Sequence, residues 1–118
     1  MTHEYSDLMK RIDELWGGGD VAAADELYAQ DLSVNGIPVG IEDVKAIIAR
    51  MRTAFPDVRF ELKDQFVAGD RVVTRMEQTG THLGSWDSPI GTLEPTGRTF
   101  TISGIEIHRI ADGKVAEA

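Results

Sequence analysis

A chain of 118 residues is the length of one domain, taken here as residues 1–118, and can bury a core without disulfide or metal support. A net charge of −8 argues against nucleic acid and anionic membrane as partners, because both demand a basic surface. The absence of cysteine excludes disulfides, cysteine-ligated zinc and thiol catalysis.

In chain order, Leu8, Met9, Ile12, Leu15 and Trp16 recur at helical spacing, and Gly17-Gly18-Gly19 stops that first helix. No signal-peptide pattern opens "MTHEYSDLMK", and no apolar run approaches the ~20 residues of a membrane span, so a cytoplasmic protein is expected. His3 is given no role. Asp20 is a suitable cap for a second helix to about Gln30, with Val21, Ala24, Leu27 and Tyr28 as its stripe. Leu32 to Val34 reads as a brief strand before the turn "NGIPVG". A third helix begins near Glu42, with the stripe Val44, Ile47, Ile48, Met51 and Phe55, and Pro56 ends it.

The remainder reads as strands. Val58 to Ala68 alternates, "AGDR" is a hairpin turn, and Arg71 to His82 returns. A long connection, "GTHLGSWDSPIGTLEPTG", then leads to a strand from Thr99 to Ile110. "ADGK" turns the chain into a last strand from Val115. Helices first and antiparallel strands after give an α+β class, with helices on one side of a curved sheet and a cavity between.

Some residues could carry chemistry. Asp64 falls by alternation on the face of Val58, Phe60, Leu62 and Phe66, where burial would raise its pKa into a range suited to proton transfer. A bulge would turn it outward instead. Glu106 and His108 lie two apart on one strand and share a face, with Ile105 and Ile107 on the other. If the polar face looks inward, they form an acid/base pair in which the carboxylate orients the imidazole and raises its pKa. His82 closes its strand and could reach a pocket mouth. Arg75 could pair with Asp64 or Glu77. Trp86 has no periodic reason to be in the long connection, so it is expected to cover a pocket or a partner subunit. Pro89 and Pro95 should stiffen that connection. No metal-ligand spacing and no phosphate-binding glycine loop is present; "GGGD" does not follow a strand.

The pieces "LWGGGD", "FPDV", "AGDRVV", "GTHLG", "PTGR" and "GIEIHRIADGKVAE" occur in the order and spacing of the SnoaL-like polyketide cyclases, and from about Leu15 to Glu117 the chain resembles that family of the nuclear transport factor 2-like superfamily. The resemblance implies a cone, with a strongly bent antiparallel sheet around helices and a deep apolar pocket, and a homodimer. It implies a cofactor-free and metal-free cyclase or isomerase acting on a small, apolar, carbonyl-containing ligand. Polar residues on the Glu106–His108 strand would then meet the substrate's carbonyl groups. Trp16 and Phe55, at helix ends that face the cavity in the family, would line it together with Met51. An acid–arginine–acid set around Arg75 would instead resemble the epoxide hydrolases of the superfamily. A non-catalytic binding domain is the other alternative. The acid/base aspartate of the cyclases would fall beyond Ala118. The proton handlers expected from the residues themselves are His108 with Glu106 or Asp64, and His82, Arg75 and Trp86 are secondary binding candidates. A shortened last strand is expected to loosen the edge of the sheet.

Overall fold

The computed structural model describes residues 2–88 and 90–118, with side chains from Tyr5 onward. Helix α1 (Thr2–Gly17) buries Leu8, Met9, Ile12 and Leu15, the stripe its spacing calls for. The chain leaves it through a backbone bond from Gly19 N to the Glu14 carbonyl, 2.8 Å. Asp20 does cap the next element, its Oδ1 accepting from Ala22 N at 3.0 Å. The helix it starts is shorter than expected. A 3₁₀ turn (Val21–Ala23) and α2 (Ala24–Leu27) give way at Tyr28 to strand β1 (Tyr28–Val34). Tyr28 and Leu32 are both buried, and their separation of four suits one face of a strand as well as one face of a helix. Pairing with a distant strand decides between the two.

Asn35 and Gly36, both at positive φ, turn the chain into β2 (Ile37–Pro38). Helix α3 (Ile41–Ala54) follows; Asp43 Oδ2 accepts from Gly40 N at 3.2 Å at its start, and Ile41, Val44, Ile48 and Ala54 are buried. Arg52 of α3 donates to the Leu15 carbonyl and so ties the ends of α1 and α3 together. Strands β3 (Arg59–Ala68) and β4 (Arg71–Thr81) form the expected hairpin through Gly69-Asp70. After the long connection come β7 (Thr99–Ala111) and β8 (Lys114–Glu117), joined by a two-residue turn in which Asp112 and Gly113 both have positive φ.

The main sheet has the order β2-β1-β8-β7-β4-β3. Every pair is antiparallel except β1 with β8, which is parallel. Strand β8 does not lie at an edge of the sheet; it lies between β1 and β7 and contributes the fully buried Val115. The three helices and the inner face of this sheet share one apolar core that includes Leu15, Leu27, Leu32, Ile48, Val72 and Val115. Burial of each such side chain is worth about 1.5–3 kcal/mol.

The long connection is folded. It forms its own two-stranded sheet, β5 (Trp86–Ser88) with β6 (Gly91–Leu93). Its base is clasped by bonds from His82 N to the Arg98 carbonyl and from Gly97 N to the His82 carbonyl, 2.9 Å each. Leu83 N and Gly84 N both donate to the Ala54 carbonyl at the end of α3. Gly84 has to be glycine: a Cβ there would stand 1.9 Å from the Thr53 carbonyl oxygen. Pro95 is exposed within the return path, and Pro89 lies outside the described residues.

Candidate functional site

A cavity of about 810 Å³ opens between α1, the start of β1, α3 and the inner face of β7. That volume is in the range of small-molecule sites. Its walls are mainly apolar, with Ile12, Leu32, Val44, Phe60 and Met76 among them.

The sheet register fixes which face of each strand looks inward. Val72 stands opposite His108 and Thr74 opposite Glu106, and both Val72 and Thr74 are buried. The polar face of β7 is therefore the cavity face. Ile105 and Ile107 point their side chains to the other side, 70% and 52% exposed. Glu106 and His108 line the cavity, with His108 Nε2 3.4 Å from Glu106 Oε2. His108 is buried, and its Nδ1 has no hydrogen-bond partner among the described residues.

The electrostatics differ from the sequence expectation for this pair. Burial pushes the His108 imidazole below its ordinary value, whereas a carboxylate neighbour was expected to raise it. The reason is geometric: Glu106 keeps 46% of its side-chain surface, and its oxygen stands beyond normal hydrogen-bond distance, so desolvation wins. His108 is thus a neutral ring at neutral pH, able to accept a proton. Glu106 is itself raised, first by burial and then by the charge of Asp13.

Asp13 is the functional candidate the sequence reading missed. It lies on α1, lines the cavity with Glu106 and His108, and burial pushes it up to about 6. Together with Phe60 it also lines a second cleft of about 610 Å³ between α1 and β3. A signal was present: Asp13 follows Met9 by four and precedes Trp16 by three, so it sits inside the apolar stripe of its helix. Tyr28 is the other addition. It was read as core, and it is buried, yet it lines the cavity and its hydroxyl oxygen accepts from Trp16 Nε1 at 2.8 Å.

The remaining candidates separate. Trp16 and Met51 line the cavity. Asp64 does not: the register shifts between Leu62 and Asp64, leaving Lys63 as an extra residue, and this bulge turns Asp64 out. It stands exposed opposite Arg75, itself exposed on the outer face beside Ile105. The acid–arginine–acid set expected around Arg75 therefore lies outside the cavity. Phe55, His82 and Trp86 belong to an aromatic cluster at the far end of α3. Phe55 packs on His82, Trp86 and Phe100 with ring centroids 5.5, 5.5 and 4.9 Å apart. His82 Nδ1 meets Thr96 Oγ1 at 3.2 Å, which fastens the long connection to itself. None of the three lines the cavity, and Trp86, 38% exposed, braces the connection against α3 rather than lying over the cavity as a lid. Among the described residues no three carboxylate or imidazole groups gather closely enough to hold a metal ion, and no helix is long and apolar enough to cross a membrane.

The same architecture recurs in solved structures. TsrD from Streptomyces laurentii is 26% identical, with 98% of this chain and 84% of that one covered at a TM-score of 0.82. IdmH from Streptomyces antibioticus, a candidate polyketide cyclase, is 27% identical over 95% of this chain and 86% of its own, TM-score 0.77. A candidate SnoaL-like polyketide cyclase from Jannaschia sp. CCS1 has a TM-score of 0.82 at 23% identity, covering 98% of this chain and 82% of that one, and speaks for the fold alone. No curated protein matches the chain significantly. The family model of the SnoaL-like polyketide cyclases matches residues 6–118, and the chain belongs to that family.

Proposed function

We propose that the protein is a cofactor-free acid/base catalyst, a cyclase or isomerase, acting on a largely apolar small molecule that carries carbonyl groups. The observation that carries this reading is that His108 and Glu106 from β7 and Asp13 from α1 line the same mainly apolar cavity. Neutral His108 takes a proton from the carbon next to a carbonyl. Glu106 stabilises the imidazolium that results, and Asp13, with its raised pKa, is placed to return a proton. The polyketide cyclase assignment that IdmH carries, at 27% identity, supports the same substrate class. The test is a pH–rate profile with aromatic polyketide and ketosteroid substrates. The expected rate rises with pH through a value below 6.5, and His108→Ala loses at least about 100-fold in turnover. A flat profile, or full activity in His108→Ala, would sink the assignment.

A non-catalytic binding role has the apolar lining in its favour, and it predicts tight binding without turnover in the parent protein. A homodimer formed through the outer sheet face is proposed as well. Phe66, Val73, Ile105 and Ile107 make an apolar patch there, flanked by Arg71, Arg75, Asp64 and Glu77, charges of both signs that two copies could match. Sedimentation of the parent and of Ile105→Glu checks it: a dimer that becomes a monomer is expected. The cytoplasm is the proposed compartment, supported by the cysteine-free sequence.

A further inference from the structure

The geometry points to the Tyr28 hydroxyl as the donor that holds the ligand's carbonyl oxygen, with Trp16 as the residue that positions and polarises it. This rests on the reading of the cavity as the ligand site and names the chemistry recognised there: a neutral ketone or its enolate.

The argument starts from counting hydrogens. A phenol has one hydrogen to donate and an oxygen that accepts. An indole N–H can only donate. The 2.8 Å bond between Trp16 Nε1 and Tyr28 Oη therefore has a fixed direction, from the indole to the phenol oxygen. The phenol's own hydrogen is left over, and among the described residues no acceptor takes it. Tyr28 is only 5% exposed, so bulk water does not readily substitute. A buried donor without a partner costs free energy that an incoming acceptor recovers. Both side chains line the cavity, which is where such an acceptor would arrive.

The charges that act on the Tyr28 hydroxyl favour a neutral acceptor. Asp13 and Glu106 lie near enough to act on the Tyr28 hydroxyl electrostatically, and both disfavour a further negative charge. A carboxylate ligand would meet that repulsion from the start. A ketone would not, and the negative charge that develops on its oxygen as the neighbouring carbon loses a proton would fall on a donor already in place. Burial, opposed by the Trp16 bond, pushes the Tyr28 hydroxyl up to about 12, so the phenol keeps its hydrogen across the working range of pH. The indole bond also drains electron density from the phenol oxygen, which strengthens the outgoing bond.

The test is infrared spectroscopy of 2-acetylnaphthalene, ¹³C-labelled at the carbonyl, bound to the full chain, with affinities from calorimetry. Bound to the parent protein, its carbonyl band should lie at lower frequency than in hydrocarbon solvent. In Tyr28→Phe the band should return to the hydrocarbon position and affinity fall about three- to tenfold, the equivalent of one hydrogen bond. In Trp16→Phe, where Tyr28 remains, an intermediate displacement is expected. 2-Naphthoate should bind the parent more weakly than the ketone. A ketone that binds the parent with an undisplaced band, a displacement that survives Tyr28→Phe, or tighter binding of the naphthoate would overturn the assignment while leaving the cavity as the ligand site. Failure of the ketone to bind the parent would overturn both. The readout needs no turnover, so loss of the acid/base reading leaves it intact.

Discussion

The inner and outer faces of β4 and β7 are made by the same two strands and read by the same alternation, yet they have opposite characters. Inward, Val72, Thr74 and His108 are buried and Glu106 meets a cavity; Val73, Arg75, Ile105 and Ile107 carry their side chains on the opposite face. The outer face is apolar at its centre with charges of both signs around it, whereas on the inner face Glu106 and His108 interrupt a mainly apolar surface. An acid/base pair on the covered face and aliphatic residues on the exposed one depart from the usual alternation of a sheet packed on a core. That departure supports the reading of the cavity as a site.

The largest expected effect that could break this contrast is on turnover. His108→Ala, on the inner face, should lose at least about 100-fold, while Asp64→Asn, on the outer face, should leave turnover unchanged; equal losses from the two would erase the distinction. Next comes stability. Leu32→Ala removes a side chain buried beneath the cavity and should cost about 2–5 kcal/mol in urea unfolding. Phe66→Ser, on the 58% exposed outer ring, should change the stability of the monomer by less than about 1 kcal/mol. The smallest effect concerns Asp13. Its folded pKa of about 6 lies above the ordinary 3.8, so the folded state holds the proton more tightly than the unfolded one. That contribution is full below about pH 4 and lost as pH rises through 6. Asp13→Asn should remove this dependence and be more stable than the parent at pH 8 by about 1 kcal/mol, a figure reduced for the residue's partial exposure. Urea titrations at pH 4 and pH 8 measure it, and an unchanged difference between the two pH values would argue against Asp13 facing the cavity.

Local rules carried much of this fold. Helices α1 and α3 and the hairpins at Gly69-Asp70 and Asp112-Gly113 follow from spacing and turn chemistry that neighbouring residues supply themselves. Strand β1 does not, because Tyr28 and Leu32 satisfy a helix and a strand equally until β8 arrives to pair with them. The site was half legible. The shared face of Glu106 and His108 could be read from the sequence, but its direction could not. Lys63 has no chemical mark that announces a bulge, so the sequence leaves both sides open for Asp64 and the register decides for the outer one. Asp13 was concealed by its own type, since a carboxylate on an amphipathic helix is usually on the wet side.

The interior position of β8 also bears on how the chain is made. Strands β2 and β1 on one side and β7, β4 and β3 on the other are bridged only by β8, whose residues are translated last among the described strands. During synthesis the β3–β4–β7 meander can assemble early, but the two halves of the sheet cannot join until Lys114–Glu117 clears the ribosome. The parallel pairing of Tyr28 with Val115 closes a very long loop, and it is expected to be a slow, late step of folding. Until it is complete, the cavity lacks a wall and its apolar lining is open to other chains.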